Sequence, residues 1–214
     1  MKKIVFVLLF ISSVTIVNAQ DAPTPKAEKT NGVHLGIRAG LNLANIIRSD
    51  NNAASTQLKP GLNAAAFLEI PIVNGFSIQP EVQYSEKGYK TSGSYLGNPY
   101  EYTASSNFIE VPILAKISPA KGFGILVGPQ YSFLTNTKYK FTSNTATYQN
   151  QVNNDNSNLR NNILGGVLGL EFSGESVVLD LRYSLDFQKN NEDGTSNSLK
   201  YKNQVLGISI GFRF

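Results

Sequence analysis

No cysteine occurs among the 214 residues, so neither a disulfide framework nor thiol chemistry supports this fold. Histidine occurs once, at His34, and no clustered metal-ligand spacing or glycine-rich phosphate loop is present, so neither a metal nor another cofactor is expected. Long apolar runs are absent beyond the first twenty residues. The formal net charge is +4, of which Lys2 and Lys3 supply two. The remaining +2 is too mild to suggest a nucleic-acid partner.

The one apolar run, residues 4–17, follows Lys2 and Lys3 and precedes Val17-Asn18-Ala19. A positive start, an apolar core and a small-residue cleavage pattern describe a signal peptide over residues 1–19. The run is too short for a membrane-spanning helix, which needs roughly 20 apolar residues. Residues 20–31 form a polar, proline-containing leader, expected in the periplasm. Residues 32–214 suit a single domain.

From Val33 onward the chain alternates with period two. Val33, Leu35, Ile37, Ala39, Leu41 and Leu43 share one face, and His34, Gly36, Arg38, Gly40 and Asn42 the other. Comparable runs over 61–70, 76–85, 108–117, 123–133, 163–172, 177–187 and 205–214 bring the number to eight. Their lengths match the roughly 9–11 residues of a tilted membrane-spanning strand.

A soluble barrel alternates too, with its apolar row inward. Three features point the apolar rows outward. The polar rows hold mainly Gly, Ser, Ala and Gln, as a narrow interior requires and a water-facing exterior does not. The apolar rows carry no charge, and a cation facing lipid at mid-depth costs about 2–4 kcal/mol. Aromatic residues end those rows: Phe76, Phe123, Phe172, Phe212 and Phe214 at one rim, Tyr84, Tyr131, Phe133, Tyr183 and Phe187 at the other. Two such girdles are what two bilayer interfaces select.

Short turns near 70–76, 118–123 and 173–177 alternate with longer stretches at 44–59, 87–107, 134–162 and 188–203. The expectation is an all-β, eight-stranded antiparallel up-and-down transmembrane barrel in the outer membrane of a Gram-negative bacterium, with periplasmic termini and extracellular long loops. Pro80, Pro112 and Pro129 fall mid-strand, where each removes a ladder hydrogen bond, yet the alternation runs through them without slipping.

The runs Gly36-Ile37-Arg38-Ala39-Gly40-Leu41-Asn42, Gln79-Pro80-Glu81-Val82-Gln83-Tyr84-Ser85 with Lys87-Gly88, Ile109-Glu110-Val111-Pro112-Ile113-Leu114 and Gly128-Pro129-Gln130-Tyr131, with the closing residues 207–214, carry a family resemblance. Over the whole mature chain the sequence resembles the porin-family (PorT-like) outer-membrane barrels of Bacteroidetes. The resemblance implies an eight-stranded barrel and little about function.

Four groups of candidate functional residues stand out. Leu206, Ile208, Ile210, Phe212 and Phe214 form a terminal aromatic strand of the kind that barrel-assembly machinery recognises. Arg38, Glu69, Glu81, Glu110, Lys116, Glu171, Asp180, Arg182 and Arg213 lie on inward rows, and a shared salt-bridge network is the arrangement that offsets their desolvation. Above it, Gly40, Asn42, Asn63, Ala65, Gly128, Ser132 and Gly165 suggest a shallow vestibule, unless Phe108 and Leu134 fill it. Tyr89, Tyr95, Tyr100, Tyr102, Tyr139 and Tyr148, in the loops, suit contact with an extracellular glycan or protein, or packing within a loop cap, and the partial alternation from Lys138 to Tyr148 points to strands that extend beyond the membrane as hairpins.

No catalytic residue is assigned. His34 lies on an inward row with no serine near it in sequence, and no acidic-pair-plus-histidine set occurs at the outer rim. The expected role is a non-enzymatic barrel in contact with lipid and lipopolysaccharide, acting in structure, anchoring or surface interaction. The alternative is a small channel or a component of a transport or secretion system.

Overall fold

The computed structural model describes residues 32–48, 56–95, 98–143, 147–153, 159–191 and 200–214; the signal peptide and the leader lie outside them. Its strands are β1 (His34–Arg48), β2 (Thr56–Gln57), β3 (Lys59–Val73), β4 (Phe76–Tyr95), β5 (Asn98–Ala120), β6 (Phe123–Ser143), β7 (Thr147–Asn153), β8 (Asn162–Ser173), β9 (Val177–Asp186) and β10 (Tyr201–Arg213). Eight of them pair antiparallel in the order β4-β3-β1-β10-β9-β8-β6-β5, and β5 returns to β4 to close the ring. The remaining two add to its sides, β2 on β4 and β7 on β6.

Local chemistry explains the short connections. β3–β4 and β5–β6 turn through Asn74-Gly75 and Lys121-Gly122, with φ 78° at both glycines. Tight hairpin turns need positive φ, which glycine adopts without a Cβ clash. The third, residues 174–176, is closed by Gly174 N–H donating to the Val177 carbonyl at 2.8 Å. These define a turn end. The β10 terminus joins it, with Phe214 N–H donating to Leu35 O at 2.8 Å.

All eight alternating runs keep the phase expected of them. Leu41, Leu62, Val82, Ile113, Val127, Leu168, Leu181 and Ile208 face outward and are exposed, while Arg38, Glu81, Leu114, Leu126, Val167 and Arg182 are buried inside. On β5, β6 and β8 much of the interior is apolar, with clusters Phe108, Leu134, Leu159 and Ile163, and Leu114, Leu126 and Val167. The buried ring of Phe67 lies over Gly36, where an added Cβ would stand 2.2 Å from it.

Two differences from the sequence reading concern the other end. Residues 87–107 are not a loop: β4 and β5 continue as a hairpin to Tyr95 and Asn98. Residues 134–162 likewise hold the rest of β6 and its return as β7, a hairpin that the partial alternation from Lys138 to Tyr148 anticipates though its full extent is greater. β4, β5 and β6 therefore span 20, 23 and 21 residues rather than 9–11. Above the barrel wall the polarity inverts, with Lys90, Thr103 and Lys140 in register on one face and Ala104 and Tyr139 on the other. An apolar outward row ends there, though the strand does not.

A bulge accompanies the change. Phe108 pairs with Leu134 but Asn107 pairs with Asn136, so Thr135 is an extra residue. Its hydroxyl donates to Asn107 O at 2.8 Å. The bulge resets the phase of β6, so that Tyr139 and not Lys138 continues the inner face.

The mid-strand prolines also find an account. Pairing is interrupted between Phe67↔Glu81 and Ile70↔Ile78, between Pro80↔Ile113 and Gln83↔Glu110, and between Pro112↔Gln130 and Ala115↔Val127. Pro80, Pro112 and Pro129 each sit in one of these gaps, and the register is the same on both sides of each. Every proline opens the ladder to its preceding strand for two residues without shifting it, which is why the alternation never slips.

Candidate functional site: a three-tier ion network and a projecting sheet

The inward charges gather into three tiers along the barrel. Nearest the turn end, Lys116 Nζ lies 2.5 Å from Glu171 Oε1 and 2.9 Å from Glu69 Oε2, and Arg213 Nη1 lies 3.1 Å from the same Glu69 oxygen. In the middle tier Glu81 is central. Its Oε2 accepts from Arg38 Nη2 and from Arg182 Nη1 at 2.7 Å each, and its Oε1 from Gln79 Nε2 at 2.8 Å. Asp180 completes the quartet, 3.2 Å from Arg182 and 3.6 Å from Arg38.

The third tier joins the expected Glu110 to Lys87 and Asp186, two residues outside the expected network. Lys87 Nζ bridges Glu110 at 2.8 Å and Asp186 at 3.0 Å, and sits 4.9 Å from the centre of the Phe108 ring. Ser132 and Asn203 donate to the same carboxylates. Gln83 joins the tiers, accepting from Arg38 and donating to Glu110 at 3.1 Å. Lys87 falls in a stretch that reads as loop, and Asp186 at the end of its run. The inward parity shared with Ser85 and Ser184 is the signal that identifies both.

All nine residues expected in the network belong to it, and with Lys87 and Asp186 it holds six acids and five bases. The first two tiers are balanced, and the third carries one acid in excess. Every carboxylate has at least one cation within 3.2 Å. Such pairing is required here, because an unpaired buried ion costs several kcal/mol.

Of the expected vestibule the described residues show a small polar cavity. Asn63 donates to Asn42 at 2.8 Å, Asn42 to Ser85 at 3.0 Å and Ser209 to Asn63 at 2.9 Å, so these amides are spent on one another. Gly40 and Gly128 mark close approach: a Cβ there would stand about 2 Å from the carbonyl of Ile208 or Ile113. Ala65, Ser132 and Gly165 are buried in the packed wall. Phe108, Leu134 and Ile163 fill the volume above. This cavity, among Arg38, Asn42, Asn63, Gln83, Ser85, Arg182 and their neighbours, measures about 20 Å³, room for a water molecule and little more.

The loop tyrosines divide. Tyr89, 8% exposed, is no contact residue: it packs with Ile46, Ala104 and Tyr201 beneath Tyr102 and Tyr139. The rings of Tyr89 and Tyr201 meet edge-on at 5.5 Å, and Tyr102 stacks on Tyr139 at 6.1 Å. Burial pushes the Tyr89 phenol up to about 12, with Tyr139 adding to the rise and Arg48 opposing it. Burial raises the phenols of Tyr102 and Tyr139 as well. Farther out, Tyr100 stacks on Phe141 at 5.7 Å, and Tyr148 on β7 is 69% exposed. The Tyr95 side chain lies outside the described residues. An aromatic ladder thus runs from the barrel mouth along the inner face of the projecting sheet.

Two further sets complete the picture. Leu206, Ile208, Ile210, Phe212 and Phe214 form one exposed outward row on β10 and its end. His34 sits at the turn end with Nδ1 3.2 Å from the Phe214 backbone oxygen. No group of His, Cys, Asp and Glu able to hold a metal ion occurs among the described residues.

Comparison with known proteins follows the same lines. Residues 18–192 match the model of the family described as "Outer membrane protein beta-barrel domain". No curated protein sequence matches the chain. Among solved structures it is similar to Ail, the attachment invasion locus protein of Yersinia pestis (14% identity, 86% of this chain and 99% of that one, TM-score 0.45). It is similar also to Neisserial surface protein A (12%, 86% and 97%, TM-score 0.42) and to a major outer membrane protein of Thermus thermophilus (13%, 86% and 100%, TM-score 0.45). With the family model covering most of its length, this chain belongs to the outer-membrane β-barrel proteins and resides in the outer membrane.

Proposed function

We propose that the protein is a closed, non-enzymatic barrel that anchors a projecting sheet at the cell surface for contact with an extracellular glycan or protein. The observation that carries this reading is the filled interior. Three tiers of ion pairs and the apolar clusters above them leave a cavity of about 20 Å³, as small eight-stranded barrels generally require. The part free to meet a partner is then the sheet of β4 to β7, with its aromatic inner face.

In this reading the turn end and both termini are periplasmic and the hairpins extracellular, following the usual asymmetry of such barrels. The signal peptide directs export, and the exposed row from Leu206 to Phe214 serves the assembly machinery. Kinship with the PorT-like barrels of Bacteroidetes rests on the motif runs around Arg38, Glu81, Glu110 and Pro129.

Because the chain has no cysteine, single substitutions test the orientation cleanly. Ser94→Cys in the β4–β5 hairpin is expected to react with a membrane-impermeant maleimide on intact cells, and Lys121→Cys at the turn end only after lysis. The reverse pattern overturns the orientation. Adhesion of expressing cells to immobilised polysaccharides and matrix proteins then tests the contact role. Replacing residues 93–100 by an Asn-Gly turn should abolish adhesion with heat-modifiable gel mobility intact. Equal adhesion by both forms removes the surface-contact role.

One observation favours a second reading. The acid in excess in the Lys87 tier gives that tier a net negative charge, suited to a narrow cation-selective channel. That reading requires the tiers to part, and conductance distinguishes the two.

A further inference from the structure

The outer surface just beyond the membrane-facing wall is charged differently at the two ends. Among the described residues the exposed rim of the turn end holds one cation and one anion, Lys121 and Glu175. At the loop end Lys138, Lys140 and Lys189 are exposed and Lys202 is half-buried, with no ion pair among the described residues. Among the described residues the carboxylates on that surface are engaged: Glu86 with Lys59 at 2.7 Å, and Glu101 with Lys90 at 3.5 Å. Among the described residues the loop end therefore carries a basic collar, and the exposed charges of the turn end cancel.

The heart of the collar is on β6. Lys138 and Lys140 lie two residues apart on one face of a strand, so their Cα atoms stand roughly 7 Å apart. In register beside them are Ser105 and Gln151, and Thr103 and Gln149. Two free ammonium groups flanked by hydroxyls and amides form a surface suited to a phosphorylated sugar. Its height fits as well. Tyr84, Ile109 and Phe133 form one row of the loop-end girdle. The row of Ser105 and Lys138 lies four residues higher on β5, about 13 Å along the strand and about 10 Å along the barrel axis at the usual tilt. Lysine stems extend about 6 Å and snorkel toward an interface.

We propose that Lys138 and Lys140, with Lys202 farther round the ring, bind the phosphates of lipid A in the outer leaflet and so fix the protein's depth and its lipid neighbours. Continuity with the membrane-facing wall and complementary charge select this occupant, since the collar begins where the apolar surface ends. The inference rests on the loop end facing outward, which impermeant labelling tests separately.

The test is native mass spectrometry of the folded full chain in a neutral detergent, titrated with bis-phosphorylated lipid A and with dephosphorylated lipid A. Wild-type protein should retain the phosphorylated form, more weakly as ionic strength rises. Lys138→Gln/Lys140→Gln/Lys202→Gln should bind it at least about tenfold more weakly. Lys121→Gln should bind it as wild type does, and heat-modifiable mobility verifies that both variants fold. Equal retention of the two lipids, or no loss in the triple variant, overturns the proposal. Full competition by inorganic phosphate at low millimolar concentration overturns it too, leaving a general anion site. Phosphate-dependent binding beside periplasmic labelling of Ser94→Cys would refute the orientation while leaving the collar's chemistry standing.

Discussion

Glu81→Ala is the most informative single perturbation of the interior. Glu81 is fully buried, and its Oε2 accepts from two guanidinium groups at 2.7 Å each. Truncation leaves Arg38 and Arg182 facing each other with Asp180 as the only carboxylate of the tier. Arg38 keeps Ser209 and Gln83 as polar partners, but neither carries charge. Breaking a buried pair by removing one member costs about 3–5 kcal/mol, or roughly two to three and a half orders of magnitude in the folding equilibrium. Urea titration of the protein refolded into lipid vesicles, with folded and unfolded bands separated by gel mobility, measures it. Glu81→Ala combined with Arg38→Met restores charge balance around Arg182 and Asp180, and should recover a large part of the loss. A cost below about 1 kcal/mol, or strict additivity in the double variant, would show that water and not ion pairing satisfies these groups, and the filled-interior argument would fail with it.

Three further outcomes follow from other parts of the barrel. Leu181→Arg, which places a cation on the exposed outer face of β9, should cost about 2–4 kcal/mol in the same vesicle assay; a neutral effect would contradict the assignment of faces. Phe214→Ala should lower the amount of barrel assembled in cells several-fold while refolding in vitro stays near wild type, and parallel losses in both would make the terminal row merely structural. Tyr89, whose phenol stands at about 12 against an ordinary 10.0, stabilises the fold in its neutral form. Its folded value is the raised one, so the contribution is intact below about pH 10 and lost as the pH rises through about 12. Ultraviolet titration should show tyrosines of the folded protein that ionise only above about pH 11, and complete ionisation before that point would contradict the buried cluster.

The phase of all eight strands was legible because a bilayer admits no charge on the outer row, which makes the alternation unusually clean at Leu41, Val82 or Leu181. Network membership followed from the same parity. Lys87 escaped because legibility depends on the lipid: once a strand leaves the apolar layer its outward row turns polar, and 87–107 then resembles a loop although its pairing continues. The extension of β6 was partly legible in the alternation from Lys138 to Tyr148, but Thr135 hid its faces, since an added residue inverts the parity from which they are read. The vestibule is smaller than the small inward residues suggest, for another reason. Small inward residues such as Gly40 and Gly128 signal close packing of neighbouring backbones as readily as empty space, and only the positions of Phe108, Leu134 and Ile163 decide between them. The gaps at Pro80, Pro112 and Pro129 could not be seen from one strand at a time, because each belongs to a ladder between two.

Single-channel recording tests the closed interior most directly. Purified protein, shown by heat-modifiable mobility to be folded, is inserted into a planar bilayer and held over a range of voltages. The account predicts a silent barrel, and predicts that Glu81→Ala or Lys87→Met opens a leak where wild type has none. Discrete, reproducible openings of the wild-type protein, with selectivity altered by Glu110→Gln or Asp186→Asn, would contradict it and make transport the function of this barrel.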